Sequence, residues 1–270
     1  MGEHHLSEIY QEAEVYEAVY RGRGKDYGTD AARIAAVARG YAPGAATLLD
    51  VACGTGAHLR HFGELFDQVE GVDLADDMLR IAKERAPSIP VHQGDMRDFR
   101  LGRSFDVVTC LFSSIGYLRS TEELDEAVAC LARHLNPGGV IVLEPWCFPE
   151  NFTPGQVMRD LVTVDGDTIA RVSHTVREGQ DARIEVHYLV ARPGTGVRHF
   201  TDIHVLRLFS REQYESAFHR AGCRAEYLPG DGVGLFVATL GPPRNGPTSL
   251  RSDRHGHTTA EDSGSLGVHP

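Results

Sequence analysis

The sequence predicts an α/β fold: an open, mostly parallel sheet with helices on both faces and an antiparallel β layer attached. Three observations predict it. From residue 47 to about 146, short apolar runs alternate with helical segments. Those runs are apolar on both sides, as strands buried on both faces are. From about residue 150, consecutive strands are separated by "DGD", "REGQ" and "RPGTG", which is the pattern of a meander.

The elements follow in order. "SEIYQEAEVYEAVY" has apolar residues at helical spacing, and "DAARIAAVARG" is a second helix, with the loop "RGRGKDYG" between them. "TLLDVA" is a buried strand and "HLRHFGELF" a helix. "QVEGVDL" is a strand ending in an acid, and "ADDMLRIAKERA" is the next helix. "IPVHQGDM" is a strand leading into a loop, and "FDVVTCLFS" is another buried strand. "STEELDEAVACLARHL" is an amphipathic helix whose Ser-Thr and early Glu suit an N-cap. "NPGG" is expected to turn the chain into the strand "VIVLEPW". After the meander, "SREQYESAFHRAG" is a Ser-capped helix, and "AEYLPGDGVGLFVATL" supplies two closing strands.

A length of 270 residues suits one large domain, or a core domain with an insert. We expect a single domain over 1–240, with a ligand-binding core at 45–150 and an antiparallel insert at 155–210. Residues 241–270 are polar and rich in Gly, Pro and Ser, and are expected to be disordered. The net charge of −11 argues against a general nucleic-acid binder, which needs a basic face. No apolar stretch is long enough to span a bilayer, and the first twenty residues carry acids where a signal peptide has its apolar core. A cytoplasmic protein is expected. The five cysteines form no CxxC pair and read as reduced, mostly buried thiols.

"TLLDVACGTGAHL" carries the first chemical signal. An open parallel sheet binds ligands beyond the carboxyl ends of its strands. Here a strand ends at Asp50, and Gly54 and Gly56 let the backbone approach a ligand closely. The third glycine of a dinucleotide fingerprint is replaced by Leu59, and no P-loop lysine follows. Asp50 would repel a pyrophosphate but suits a cationic ligand. S-adenosylmethionine has an ammonium, a sulfonium, a ribose and an adenine, and no phosphate. Asp73, at the next strand end, is placed to accept both ribose hydroxyls. Asp95 is placed to accept from the adenine amine, with Met96 against the ring. A lone acid at a strand end is commonly only a turn former, but three in order form a joint signal.

"LLDVACGTG", "GVDLADDML", "GDMRDF" and "NPGGVIVLEPW" resemble the class I methyltransferase core. "YRGRGKDY", "CLFSSIGYL", "EPWCFPENFTPG", "RVSHTVREG", "RIEVHYLVA" and "LFSREQYESAF" are similar to the TDP-aminosugar N,N-dimethyltransferases, over about residues 8–240. That resemblance implies a Rossmann-like, seven-stranded, mostly parallel sheet with an antiparallel layer over the active site. It also implies S-adenosylmethionine as cofactor. The implied reaction is two successive methyl transfers to the amine of a TDP-linked 3-amino-3,6-dideoxyhexose, as in desosamine- and mycaminose-type macrolide sugars.

Carried onto matching positions, Tyr16 and Tyr27 would close the cofactor site. Asp50, Ala52, Gly54, Gly56, Asp73, Leu74, Met78, Asp95, Met96 and Phe112 would form it. Tyr117 and Trp146 would face the sugar. Three departures stand out: Cys147 replaces an expected tryptophan, Val233 stands where an arginine is expected in "DGVGLF", and Tyr10 lies two residues closer to Tyr16 than expected.

Methyl transfer needs alignment of a neutral amine more than a strong base, and positioning can contribute roughly 7–11 kcal/mol. A phenol is a poor base at neutral pH, so Tyr117 is expected to orient the amine. Tyr16, Tyr27 and Phe112 are candidates for cation–π contact with the sulfonium. Glu144 is expected near the amine. Arg171, Ser173, His174, Arg183 and His187 are expected as substrate contacts on the meander, the two arginines for the diphosphate. No metal is expected: His58 and His61 lack a third ligand, and "RHGH" stands alone in the tail. The exposed meander suggests a homodimer. Methylation of a 4-amino sugar or a sugar hydroxyl stays open as an alternative, as does a non-catalytic S-adenosylmethionine-binding protein.

Overall fold

The computed structural model describes residues 13–230 and 232–241. Two helices, α1 (Ala13–Gly22) and α2 (Tyr27–Tyr41), precede the sheet. The expected loop between them shrinks to residues 23–26, because Asp26 caps α2: its Oδ1 accepts the N–H groups of Gly28 and Thr29, both at 3.0 Å.

Seven strands then build the main sheet. In chain order the elements are β1 (Thr47–Val51), α3 (Ala57–Leu65), β2 (Gln68–Asp73), α4 (Asp76–Arg85), β3 (Val91–Gln93), β4 (Phe105–Cys110), α5 (Thr121–Arg133) and β5 (Leu135–Leu143). After the meander, β6 (Val157–Val164), β7 (Asp167–Glu178), β8 (Asp181–Arg192) and β9 (Gly196–Arg207), come α6 (Arg211–Arg220), β10 (Cys223–Leu228) and β11 (Leu235–Leu240). The spatial order is β10-β11-β5-β4-β1-β2-β3, with β11 antiparallel to its neighbours and the β1–β5 pairs parallel.

The central strands β1, β4 and β5 are apolar on both faces because both faces are covered. Leu48, Val107, Val140 and Val142 pack with Ala31, Ile34 and Phe62 of α2 and α3. Leu49, Val51, Val108 and Ile141 pack on the other face with Leu124, Val128, Leu131 and Phe218 of α5 and α6. Fully burying one such side chain contributes about 1.5–3 kcal/mol.

One local expectation is revised, and the expected cap of α5 is found. "NPGG" does not turn before a strand; it lies within β5, where the register shifts between Phe105 and Val107. The Ser120 hydroxyl caps α5 by accepting the Glu123 N–H at 3.2 Å, but the Glu123 carboxylate turns to Arg97 and Arg119 instead of closing a capping box. The full capping box belongs to α6, between Ser210 and Gln213.

The meander is a second, four-stranded antiparallel sheet of β6, β7 (Asp167–Glu178), β8 (Asp181–Arg192) and β9 (Gly196–Arg207), in that order. Its inner face packs on Val15 and Val19 of α1 and on Trp146 and Cys147. Its other face carries exposed Val157, Leu161, Val172, Leu189 and Val197, and on β9 the same face brings Ile203 and Val205 to the edge of a cleft. Of the tail expected at 241–270, residues 242–270 lie outside the described residues, as does Tyr10.

Candidate active site

Strand order reverses between β1 and β4, so their carboxyl ends splay apart and open a cleft. Leaving β1, the chain enters left-handed conformations at Ala52 (φ 58°), Gly54 (φ 55°) and Gly56 (φ 72°). Ala52 pays a side-chain strain of about 1–3 kcal/mol for that turn. Ala52 and Gly54 line the cleft. Gly56 stands behind the cleft's described lining and starts α3; a Cβ there would lie 3.0 Å from the Ala82 Cβ, so it permits close packing on α4.

Asp50, Asp73 and Asp95 all line the same cleft, from three successive strand ends. Asp50 is buried, and the Thr109 hydroxyl donates to its Oδ1 at 2.6 Å. Burial pushes the Asp50 carboxyl up to about 6; His58 and Thr109 pull it down, and Asp73 adds to the rise. Asp73 accepts the Gly54 N–H at 2.7 Å through Oδ2 and the Ala75 N–H at 2.9 Å through Oδ1. Burial raises its carboxyl too, against those backbone donors. Asp95 is gripped by Arg97, whose Nε and Nη2 reach its two oxygens at 3.0 and 2.6 Å, while Arg97 Nη1 bonds Glu123 at 2.6 Å. Leu74, Met78 and Met96 supply apolar surface beside these acids.

Aromatic rings close the other side. Tyr27 and Phe112 line the cleft with ring centroids 6.2 Å apart, and His58 meets Tyr27 edge-on at 5.0 Å. The Lys25 ammonium lies 4.8 Å from the Phe112 centroid and 5.9 Å from that of Tyr27. Asp30 anchors that ammonium and His58 Nε2, each at 3.0 Å. Burial alone would raise Asp30, but His58, Lys25 and Arg33 hold it well below the usual carboxylate range. Tyr16 is on α1, with its side chain outside the described ones.

Phe112 and Ser113 both have φ 58°, the second strained turn at the cleft. Glu144 holds that turn: its Oε2 accepts the Phe112 N–H at 3.1 Å, and the Ser113 hydroxyl donates to the Pro145 carbonyl at 2.9 Å. Burial raises the Glu144 carboxyl. The donor set fits S-adenosylmethionine. Buried acids occupy the turn where a pyrophosphate would need donors, and the ring pair already carries a cation in the form of Lys25.

Tyr117, at the end of a short 3-10 turn over Ser114–Tyr117, lines the cleft. The other expected substrate contacts do not. Trp146 is 1% exposed and packs in the core under the meander, against Gly116. Glu144 serves the Phe112 backbone. Arg171 and Ser173 point inward from β7, where Arg171 Nη1 meets Ser173 Oγ at 3.3 Å and Asp160 at 3.5 Å. Strand alternation puts His174, Arg183 and His187 on the opposite face, the one that carries cleft-lining Ile203 and Val205, but none of the three lines the cleft itself. There Arg183 and His187 each reach Glu185 at 3.1 Å, and His187 stacks on His199.

Arg97, Arg119, Glu123, Ile203 and Val205 line the cleft without having been singled out from the sequence. His58, weighed only as a metal ligand, lines it too. Among the described residues no cluster of three His, Cys, Asp or Glu is placed to hold a metal ion.

Comparison with known proteins agrees with this geometry. Residues 48–139 match a methyltransferase domain model. The chain is 57% identical over 227 residues to a dTDP-3-amino-3,4,6-trideoxy-alpha-D-glucopyranose N,N-dimethyltransferase of Streptomyces venezuelae, covering 83% of this chain and 96% of that one. It is 46% identical to a dTDP-4-amino-2,3,4,6-tetradeoxy-D-glucose N,N-dimethyltransferase of Saccharopolyspora spinosa, covering 83% of this chain and 91% of that one. The crystal structure of Streptomyces venezuelae DesVI superposes with a TM-score of 0.84 at 56% identity, over 85% of this chain and 98% of that one. The S-adenosylmethionine-bound amino pentose methyltransferase CalS10 of Micromonospora echinaspora superposes with a TM-score of 0.79 at 50% identity, over 84% and 97% of the two chains. With near-complete coverage at this identity, and with three strand-end acids gathered at one cleft, the chain belongs to the TDP-aminosugar N,N-dimethyltransferases of the class I S-adenosylmethionine-dependent methyltransferase fold.

Proposed function

We propose that this enzyme dimethylates the 3-amino group of a TDP-linked deoxyamino sugar during the assembly of an antibiotic sugar. The observation that carries the position of the amine is the 57% identity to a 3-amino enzyme, against 46% to a 4-amino one. A 4-amino acceptor is the second reading, because the similarity to that relative also spans nearly the whole chain.

S-adenosylmethionine, when bound, supplies an electrophilic methyl group on a positively charged sulfur. In our assignment Asp73 accepts the ribose hydroxyls and Asp50 meets the amino-acid ammonium. Asp95 and Met96 take the adenine with Leu74 and Met78. Tyr27 and Phe112 face the sulfonium, where each ring contributes about 0.5–2 kcal/mol. Tyr117 holds the substrate amine. Arg119 takes over the diphosphate role expected of Arg171 and Arg183: it lines the cleft, with its Nη1 resting on the Val205 carbonyl at 3.1 Å.

The test is incubation with S-adenosylmethionine and either a TDP-3-amino-3,6-dideoxyhexose or its 4-amino isomer, followed by mass spectrometry. Stepwise gain of two methyl masses on the 3-amino sugar alone is expected. Gain on the 4-amino isomer alone moves the amine. Gain on neither leaves a sugar hydroxyl as the acceptor.

We further assign a homodimer contact to the face of the meander that carries the exposed apolar side chains. Its apolar side chains are interleaved with Arg183, Glu185 and His187, so a two-fold partner meets both apolar surface and opposite charge. Light scattering of wild type and Leu161→Lys tests this; an unchanged oligomeric state overturns it. Five free, buried cysteines suit a cytoplasmic location.

A further inference from the structure

On β9, Phe200, Asp202, His204 and Leu206 share the face that packs inward. Two of these four are polar, and both are 3% exposed. Burying such a pair is costly unless its hydrogen bonds are made. His204 Nδ1 lies 2.8 Å from the Tyr117 hydroxyl, and His204 Nε2 lies 3.3 Å from Asp202 Oδ2. A chain of three groups thus runs from the cleft into the space beneath the meander.

The chemistry of the chain sets its hydrogens. A carboxylate only accepts, so the ring nitrogen facing Asp202 carries the N–H. Nδ1 is then the acceptor, and Tyr117 must donate its single hydrogen to it. Burial holds His204 below the ordinary histidine range, Asp202 opposes this and Arg171 adds to it, so the ring is neutral at neutral pH.

We propose that His204 and Asp202 are positioning residues for methyl transfer: by taking the phenol hydrogen of Tyr117 they leave that oxygen only lone pairs to offer the substrate nitrogen. Tyr117 then accepts an N–H of the amine and turns the nitrogen lone pair toward the methyl donor. This rests on the aminosugar reading above and extends it. Each round breaks the sulfur–methyl bond, forms the nitrogen–methyl bond and leaves a neutral thioether, and the new ammonium loses one proton to water before the next round. A primary amine has two N–H groups and the deprotonated monomethylamine still has one, so both rounds are held alike. A neutral dimethylamine has none, so it is not oriented for a third round.

The test compares Tyr117→Phe, His204→Leu, His204→Asn and the double variant Tyr117→Phe/His204→Leu. Each is assayed with S-adenosylmethionine and TDP-3-amino-3,6-dideoxyglucose. Calorimetric titration with S-adenosylmethionine reports whether each variant is folded. His204→Leu is expected to lower kcat on the order of 10–100-fold, with cofactor affinity unchanged. His204→Asn, whose side-chain oxygen accepts from Tyr117, should recover most of that loss. The double variant should be no worse than Tyr117→Phe alone, because His204 acts through the phenol. Nitrogen-15 NMR of the free wild-type enzyme should show the Nε2–H tautomer of His204.

A folded His204→Leu with kcat within twofold of wild type overturns the proposal. So do losses that multiply in the double variant, or an Nδ1–H tautomer. A wild-type enzyme that methylates no aminosugar nucleotide overturns the functional reading itself, whatever the tautomer.

Discussion

The carboxylate of Asp73 accepts the backbone N–H of Gly54 at 2.7 Å, so the acid that ends β2 also holds the shape of the turn that ends β1. Its other oxygen takes the Ala75 N–H at 2.9 Å. Two strand ends and the start of α4 are therefore tied through one side chain.

Asp73→Ala should weaken S-adenosylmethionine binding on the order of 100-fold, because hydrogen bonds to a charged acceptor are worth about 1.5–3 kcal/mol each. Isothermal titration measures it. Unchanged affinity would show that the ribose is not held at Asp73.

Asp50 makes cofactor binding and stability respond to pH in opposite directions. Its carboxyl is raised to about 6 in the free enzyme, so the folded state binds its proton more tightly than the unfolded chain does. The resulting stabilisation is fully present below about pH 4 and is lost as pH rises through about 6, an effect of order 3 kcal/mol. A cationic ligand favours the carboxylate, so cofactor affinity should rise over that same window. Asp50→Asn should raise the thermal midpoint of the free enzyme at pH 7.5. It should also weaken S-adenosylmethionine binding and flatten the pH dependence. Melting curves and titrations at pH 5 and 7.5 check both.

Gly116 has no room for a side chain: a Cβ there would lie 2.8 Å from the Cβ of buried Trp146 and 3.3 Å from Leu206. Gly116→Ala should cost about 1–3 kcal/mol through overpacking. At roughly 2–4 °C per kcal/mol for a domain of this size, scanning fluorimetry reads it directly. A lower kcat should accompany the loss, since Tyr117 is the next residue.

Removal of residues 243–270 should leave methyl transfer intact, because the sheet closes with β11 at Leu240. A large loss of activity in the truncated enzyme would place the tail in the working site.

The centre of the main sheet was legible in the sequence because β1, β4 and most of β5 are buried on both faces, so each wrote itself as an apolar run. Asp50, Asp73 and Asp95 could be picked out together because parallel strands deliver their carboxyl ends to one edge; sequence order then maps onto spatial neighbourhood. The meander was harder. Its strands were visible, but which side of each faced inward was not. Arg171 was expected at the substrate and lies in a buried ion pair, while Arg183, His174 and His187 fall on the opposite face. The inward set on β9 carried a signal, with polar Asp202 and His204 two apart between apolar Phe200 and Leu206, but alternation alone does not name a partner. Trp146 follows a strand end, as a ligand contact would, yet lies under the meander because that second sheet covers it.

The sequence by itself determined the parallel sheet and the strand-end acids, because period and order along the chain encode those directly, and its motifs carried the resemblance to the family. Only the tertiary structure decided that Glu144 serves a backbone turn, that Arg119 reaches the cleft, and that the Tyr117 hydroxyl meets a histidine 87 residues away. Those pairings depend on how a second sheet packs over the first, and that packing is settled by volume and hydrogen-bond satisfaction across the whole fold.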